Sequence, residues 1–172
     1  MDCSCKWHSH SEVPNMKTSM AFLLLSGLLV GTLAHTSLAQ NQDVAVVVNP
    51  KNPVSNLTMS ELRKVFAGEK RTWAGGLSIK IITRAPGSYE RVVLLRLLRM
   101  NETEYRQYWV AQVFHGEAQA DPAALFSNGM QKEAIVVFPG AIALVDPVDV
   151  KPGMKVLRVD GHLPSEPGYP VH

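Results

Sequence analysis

Seven consecutive residues, Arg84-Ala85-Pro86-Gly87-Ser88-Tyr89-Glu90, hold more potential chemistry than any other stretch of the chain. The apolar run Ile79-Lys80-Ile81-Ile82-Thr83 precedes them and reads as a buried strand, and Val92 to Leu98 follows and reads as a helix. A strand that ends in a guanidinium and turns through Gly-Ser into a helix start can build a small-anion site. The free N–H groups of the first helical turn and the positive end of its dipole face the point the arginine reaches. On this reading Arg84, Gly87 and Ser88 converge on a tetrahedral anion through guanidinium, backbone N–H and hydroxyl. A plainer reading stands beside it: a strand-to-helix connection in which Ser88 caps the helix and Arg84 pairs with a nearby acid. Glu90 suits either. A second negative charge in the site repels an anion, more strongly where water is excluded. An acid in the first turn is also ordinary helix chemistry, stabilising by about 0.3–1 kcal/mol.

Other constellations are thinner. Trp73, Tyr105, Tyr108 and Trp109 form either an aromatic binding face or, as their spacing favours, part of the core. His115 and His162 have no companions at ligand spacing, so no metal or cofactor is expected. Arg91, Arg96, Arg99 and Arg106 read as a solvated helix face, with part of a docking surface as the alternative. The sequence shows no Gly-x-Ser-x-Gly elbow, His-Glu-x-x-His, nucleotide-binding glycine loop or recognisably spaced carboxylate pair. Catalysis therefore has no residues behind it.

The elements that must position the Arg84 turn follow from pattern. Val44 to Val48 is a β-branched run expected as a strand buried on both faces, ended by Asn49-Pro50-Lys51-Asn52-Pro53. Thr58 with Glu61 makes a capping box opening a helix whose Met59, Leu62, Val65 and Phe66 share a face, with Gly68 as its stop. Trp73-Ala74-Gly75-Gly76 makes a turn before the second strand. A helix is expected from about Ser88 to Arg99, and Asn101 with Glu104 opens another through Trp109 and Val113. Asp121 to Phe126 reads as a short helix; Ala134 to Phe138, Ala141 to Val145 and Lys155 to Val159 read as strands. The Asn56-Leu57-Thr58 and Asn101-Glu102-Thr103 triplets match glycosylation acceptors but coincide with these caps.

The N-terminal region reads as a leader. Lys17 precedes an apolar core from Ala21 to Leu33, and Ser37-Leu38-Ala39 supplies small residues for cleavage before Gln40. Residues 1–39 are thus expected to be a signal peptide, with residues 1–15 an upstream misassigned start and Met16 the true one. The Cys-x-Cys and His-x-His spacings of Cys3, Cys5, His8 and His10 do not match closed zinc sites. Residues 40–161 are expected to form one α/β domain, and residues 162–172, with Pro164, Pro167 and Pro170, a flexible tail. Both cysteines of the chain lie in the leader, so a processed protein uses neither disulfide nor thiol. The formal net charge of +2 gives no electrostatic footprint for nucleic acid.

Three collinear segments carry a family resemblance. They are Leu57 to Gly68 followed by Trp73; Ile79 to Thr83 with Arg84, Gly87 and Ser88; and Phe138-Pro139-Gly140-Ala141-Ile142-Ala143-Leu144-Val145. Together, from about Val46 to Asp160, they resemble the phosphate-binding proteins, the periplasmic receptors of phosphate ABC transporters. The resemblance implies a single-lobe, periplasmic-binding-protein-like α/β domain, its mixed, mostly parallel sheet covered by helices on both faces. It implies an exported, non-catalytic protein, periplasmic or secreted, that binds phosphate or another small oxyanion at Arg84, Gly87 and Ser88, with Tyr89 and Glu90 beside them. Its partner would be a transporter permease. The departures are specific: family members have two lobes closing on the anion, and this chain has room for one. Pro86 stands where the family commonly has an aspartate that accepts from phosphate, and Tyr89 and Glu90 replace a glycine and a threonine. The alternative implied is an envelope interaction module with a degenerate anion site, able to form a homodimer across the face of the missing lobe.

Overall fold

The computed structural model describes residues 42–172. The leader expected over residues 1–39, with Cys3, Cys5, His8 and His10, lies outside the described residues. A five-stranded sheet, in the order β4-β3-β5-β1-β6, is built from β1 (Ala45–Val48), β3 (Lys80–Arg84), β4 (Ala123–Leu125), β5 (Ala141–Val145) and β6 (Lys155–Val156). A separate pair joins β2 (Asn56–Leu57) to β7 (Arg158–Val159). The β3–β4, β3–β5 and β2–β7 pairings are parallel, and β1 runs antiparallel to both β5 and β6. The sheet system is therefore mixed, with parallel pairings in the majority.

Period-2 alternation divides β1 and β5 between two cores. Val46, Val48, Ile142 and Leu144 face helices α1 (Met59–Phe66), α2 (Tyr89–Leu98) and α3 (Glu102–Phe114), meeting Leu62, Phe66, Leu94 and Trp109. Ala45, Val47, Ala143 and Val145 face the other way, onto Ile135 of α4 (Asn128–Val137). A strand covered on both faces needs no polar residue, which is why these runs are continuously apolar. The α/β expectation, with helices on both faces, matches this architecture.

Local capping signals translate directly. Thr58 and Asn101 each complete a capping box, with Glu61 and Glu104, at the starts of α1 and α3. Gly68 stands at φ +75° beyond α1, where its N–H reaches the Val65 carbonyl and that of Glu69 reaches Lys64, so two orphan carbonyls are satisfied. A side chain at Gly68 would lie 2.7 Å from the Trp109 ring, so backbone and indole need each other's shape. Gly140 is tighter: a Cβ there would come within 1.8 Å of the Ser78 carbonyl oxygen, while its own carbonyl accepts from Trp73 Nε1 at 3.0 Å. The Pro-Gly-Ala-Ile unit is thus a close backbone crossing at the entry to β5.

Four expectations are overturned. Ala134 to Phe138 is not a strand: Ala134 to Val137 form the second half of α4 and Phe138 is its C-cap. Ser127 caps the helix start, and Gln131 and Ile135, four apart, make its buried stripe. Three β-branched residues cost a helix only tenths of a kcal/mol each, about 0.5 by intrinsic propensity. Asn49 Nδ2 offsets this by donating to the Ile135 and Val136 carbonyls at 2.8 and 2.9 Å. Asp121 to Phe126 is not a helix but contains β4, held by parallel pairing to β3 across forty residues of sequence. Lys155 to Val159 splits at Leu157 into β6 and β7, which serve different sheets. Finally, the segment after His162 packs rather than trails. Tyr169 and Val171 are buried, the Tyr169 hydroxyl donates to the Val44 carbonyl at 2.7 Å, and Val44 N–H donates to Val171. The prolines forbid a helix, not burial, and two apolar anchors suffice to hold the chain down.

Candidate anion site

β3 ends at Arg84, directly opposite Leu125 at the end of β4. Pro86 and Gly87 turn the chain, Gly87 at φ +90° with open space around it, so conformation rather than crowding calls for glycine. Ser88 is the N-cap of α2, accepting from Arg91 N–H at 3.2 Å, and its hydroxyl proton stays free to donate. Tyr89 and Glu90 open the helix. Their amides fall among the orphan donors of the first turn.

Within that frame the expected residues divide. Arg84 and Glu90 come together: Nε of Arg84 lies 3.9 Å from Oε2 of Glu90, and both side chains are largely buried, 14% and 9% exposed. The Arg84 Nη1 donates to the Leu125 carbonyl at 3.3 Å, while its Nε is buried with no hydrogen-bond partner. Tyr89 does not join them. Its hydroxyl donates to the Gln42 carbonyl at 2.9 Å, pinning the start of the described chain to α2. The site therefore consists of a guanidinium with an unused donor, a free hydroxyl, a helix start, and a carboxylate placed among them.

The arginines expected as a solvated face also divide. Arg91 is buried, 4% exposed; it grips Glu102 of α3 in two bonds of 3.0 and 2.7 Å and stacks 3.9 Å from the Tyr105 ring. This is a correction to the solvated reading. The bonds from Arg91 hold the Glu102 carboxyl below the usual range, against a smaller opposing effect of burial. Arg96 and Arg99 stay exposed. Trp73, Tyr105 and Trp109 are core residues, and Tyr108 packs beside Trp109 while donating to the Ala67 carbonyl at 2.7 Å.

Two contributors escaped the sequence. The Leu125 carbonyl that anchors Arg84 comes from a strand read as a helix. The start of α4, capped by Ser127, follows β4 just as α2 follows β3, so two helix N-termini leave neighbouring strand ends. The signal was present as Ser127-Asn128-Gly129, a cap and turn after an apolar residue, but Ala134 to Phe138 masked the helix it opens. Ligands of open α/β sheets bind beyond such carboxyl ends.

No protein-family model matches the sequence. Solved structures similar to the chain include receptors of phosphate transport. An ABC-type phosphate transport receptor from Vibrio cholerae matches with a TM-score of 0.57 and 24% identity, over 72% of this chain and 48% of that one. A phosphate ABC transporter substrate-binding protein with bound phosphate from Clostridium perfringens matches at 0.54 and 18%, over 69% and 45%. PstS from Borrelia burgdorferi matches at 0.53 and 23%, over 72% and 49%. The chain spans about half the length of each of these structures. Through its described α/β domain, it shares the fold of the substrate-binding proteins of phosphate transporters.

Proposed function

We propose that this is an exported, non-catalytic binding protein that takes a small tetrahedral oxyanion, phosphate foremost, at the start of α2. The observation that carries the reading is the unpartnered, buried Nε of Arg84 beside a capped helix N-terminus. A buried donor left unmade costs about 1–3 kcal/mol, and an anion on Arg84, Ser88 and the first-turn amides relieves that cost. The bound phosphate in the Clostridium perfringens structure supports the same ligand class. Glu90 sets which oxyanion fits: a carboxylate accepts a hydrogen bond from protonated phosphate but only repels sulfate, which carries no proton near neutrality. A transporter permease or another envelope protein that covers the Arg84 site would tighten binding by enclosing the anion.

Isothermal titration with phosphate and sulfate tests this directly. Phosphate should bind more tightly than sulfate, and Arg84→Ala should abolish the phosphate heat. No heat from the wild-type protein at millimolar phosphate would remove the ligand. Export is tested separately, by N-terminal sequencing of the protein recovered from the periplasm or medium, with Gln40 expected first.

The 3.9 Å contact between Arg84 and Glu90 favours one second reading: the carboxylate already supplies the negative charge, and the fold serves as an envelope interaction module. The comparisons lend no support to a homodimer, and we do not propose one.

A further inference from the structure

A different surface holds charge that the chain does not neutralise. Four of the eight arginines of the described residues meet a carboxylate within 4 Å: Arg71, Arg84, Arg91 and Arg158. Of the other four, Arg63, Arg96 and Arg99 line two adjoining cavities beside α1 and α2, together with Lys64, which is likewise unpaired among the described residues. The first cavity, about 410 Å³, lies over Met59, Val93 and Leu97 and is flanked by Pro170 to His172. The second, about 350 Å³, lies over Leu97, Leu98 and Met100 and reaches Tyr108. Arg63 and Leu97 line both, so the two make one continuous groove, and Arg63 Nε closes its floor by donating to the Leu97 carbonyl at 3.1 Å.

Helix ends explain part of this. Arg63 and Lys64 sit in the last turn of α1 and Arg96 in that of α2, where the dipole favours cations. Each dipole end offsets only about half a charge. Two such ends, the Glu69 side chain and the His172 main-chain oxygen held by Arg96 do not cancel four unit charges, so the groove stays positive. At one edge Arg96 Nη1 donates to the main-chain oxygen of His172 at 2.7 Å, so this arginine already recognises an oxygen acceptor. Guanidiniums over an apolar floor, with room for several side chains, are complementary to a segment that alternates carboxylates with apolar residues. A lipid headgroup layer would instead meet a flat or convex basic face.

We propose that the groove between the C-terminal turns of α1 and α2 docks an acidic, amphipathic segment of a partner protein. Its carboxylates face Arg63, Lys64, Arg96 and Arg99, and its apolar side chains lie on Met59, Leu97 and Met100. This surface is separate from the Arg84 site, so its test does not depend on anion binding.

The probe is a fluorescein-labelled peptide of about 12 residues, close to 18 Å long as a helix, with glutamates on one face and leucines on the other. Fluorescence anisotropy on the full protein should show it binding at least about tenfold tighter, 1.4 kcal/mol, than the same peptide with lysine for glutamate or with serine for leucine. Arg63→Gln/Arg96→Gln should weaken binding by about tenfold or more, while Lys51→Gln, the loss of one charge on the turn after β1, should alter it less than about twofold. Glu69→Gln should tighten binding, a gain that misfolding cannot mimic. Equal affinity for the lysine peptide, equal effects of the Lys51 and groove variants, or weakening by Glu69→Gln would each overturn the proposal. So would loss of phosphatidylglycerol-vesicle binding in the groove variant when the acidic peptide does not bind at all.

Discussion

Glu90 and Arg91 are neighbours in α2, both buried, each facing a partner of opposite charge, and the two pairs differ in how completely they are made. Arg91 meets Glu102 side-on through two hydrogen bonds, and the Tyr105 ring covers its guanidinium. Glu90 meets Arg84 at 3.9 Å, beyond hydrogen-bond range, and leaves the Arg84 Nε unmatched. A buried ion pair stabilises a fold only when its remaining donors and acceptors are satisfied. The Arg91 pair meets that condition and ties α2 to α3. The Arg84 pair does not, and the ligand proposed for the α2 start rests on that unmade bond.

The largest effect expected from this contrast is on Glu102. Glu102→Ala strands a guanidinium that is 4% exposed, so it should destabilise the protein by about 3 kcal/mol. That figure takes the low end of the range for broken buried pairs, because the Glu102 side chain is itself 32% exposed. Urea unfolding monitored by tryptophan fluorescence reads it, since Trp109 lies one turn beyond Tyr105. A loss below about 0.5 kcal/mol would place this pair with ordinary surface ion pairs and remove the contrast.

A smaller effect appears with pH. Arg91 lowers the Glu102 carboxyl in the folded protein, so folding favours the ionised form. The sign follows: the stabilisation is full above the ordinary carboxylate value and is lost as pH falls through the lower, folded value. Other lowered carboxylates, Glu61 and Glu166, add to the same acid limb. The difference between wild type and Glu102→Ala therefore isolates the pair. It should be constant near neutrality and shrink on acidification; a difference that grows toward low pH would reverse the assignment.

The same contrast marks what the sequence could and could not disclose. Thr58, Ser88 and Asn101 announce their helices because a cap and its target lie within three residues. The Arg84 turn was legible for the same reason: strand, turn and helix start are contiguous. The burial of Arg91 was not, because its acceptor enters from the next helix and its cover, Tyr105, follows a turn later, so a charged residue on a helix simply looked solvated. Arg84's anchor was hidden more deeply. The Leu125 carbonyl reaches it only through parallel pairing of β3 with β4. Short apolar runs such as Ala123 to Leu125 and Ala134 to Phe138 carry no decisive period, and tertiary context assigns one to strand and the other to helix.

The finest test removes the carboxylate from the incomplete pair. At 3.9 Å the attraction between Arg84 and Glu90 is about 4 kcal/mol at an effective dielectric near 20, but desolvating both groups offsets much of it. Arg84 also keeps its bond to Leu125 when Glu90 is neutral. Glu90→Gln should therefore shift stability by no more than about 1 kcal/mol, in contrast to Glu102→Ala. Its effect on binding should be selective. The amide no longer repels a fully ionised anion and still offers an acceptor, so sulfate should gain affinity more than phosphate does, and the preference between them should narrow. Paired titrations of wild type and variant measure that ratio. If Glu90→Gln leaves the ratio unchanged while both anions bind, the carboxylate plays no part in recognition and its place beside Arg84 is purely structural.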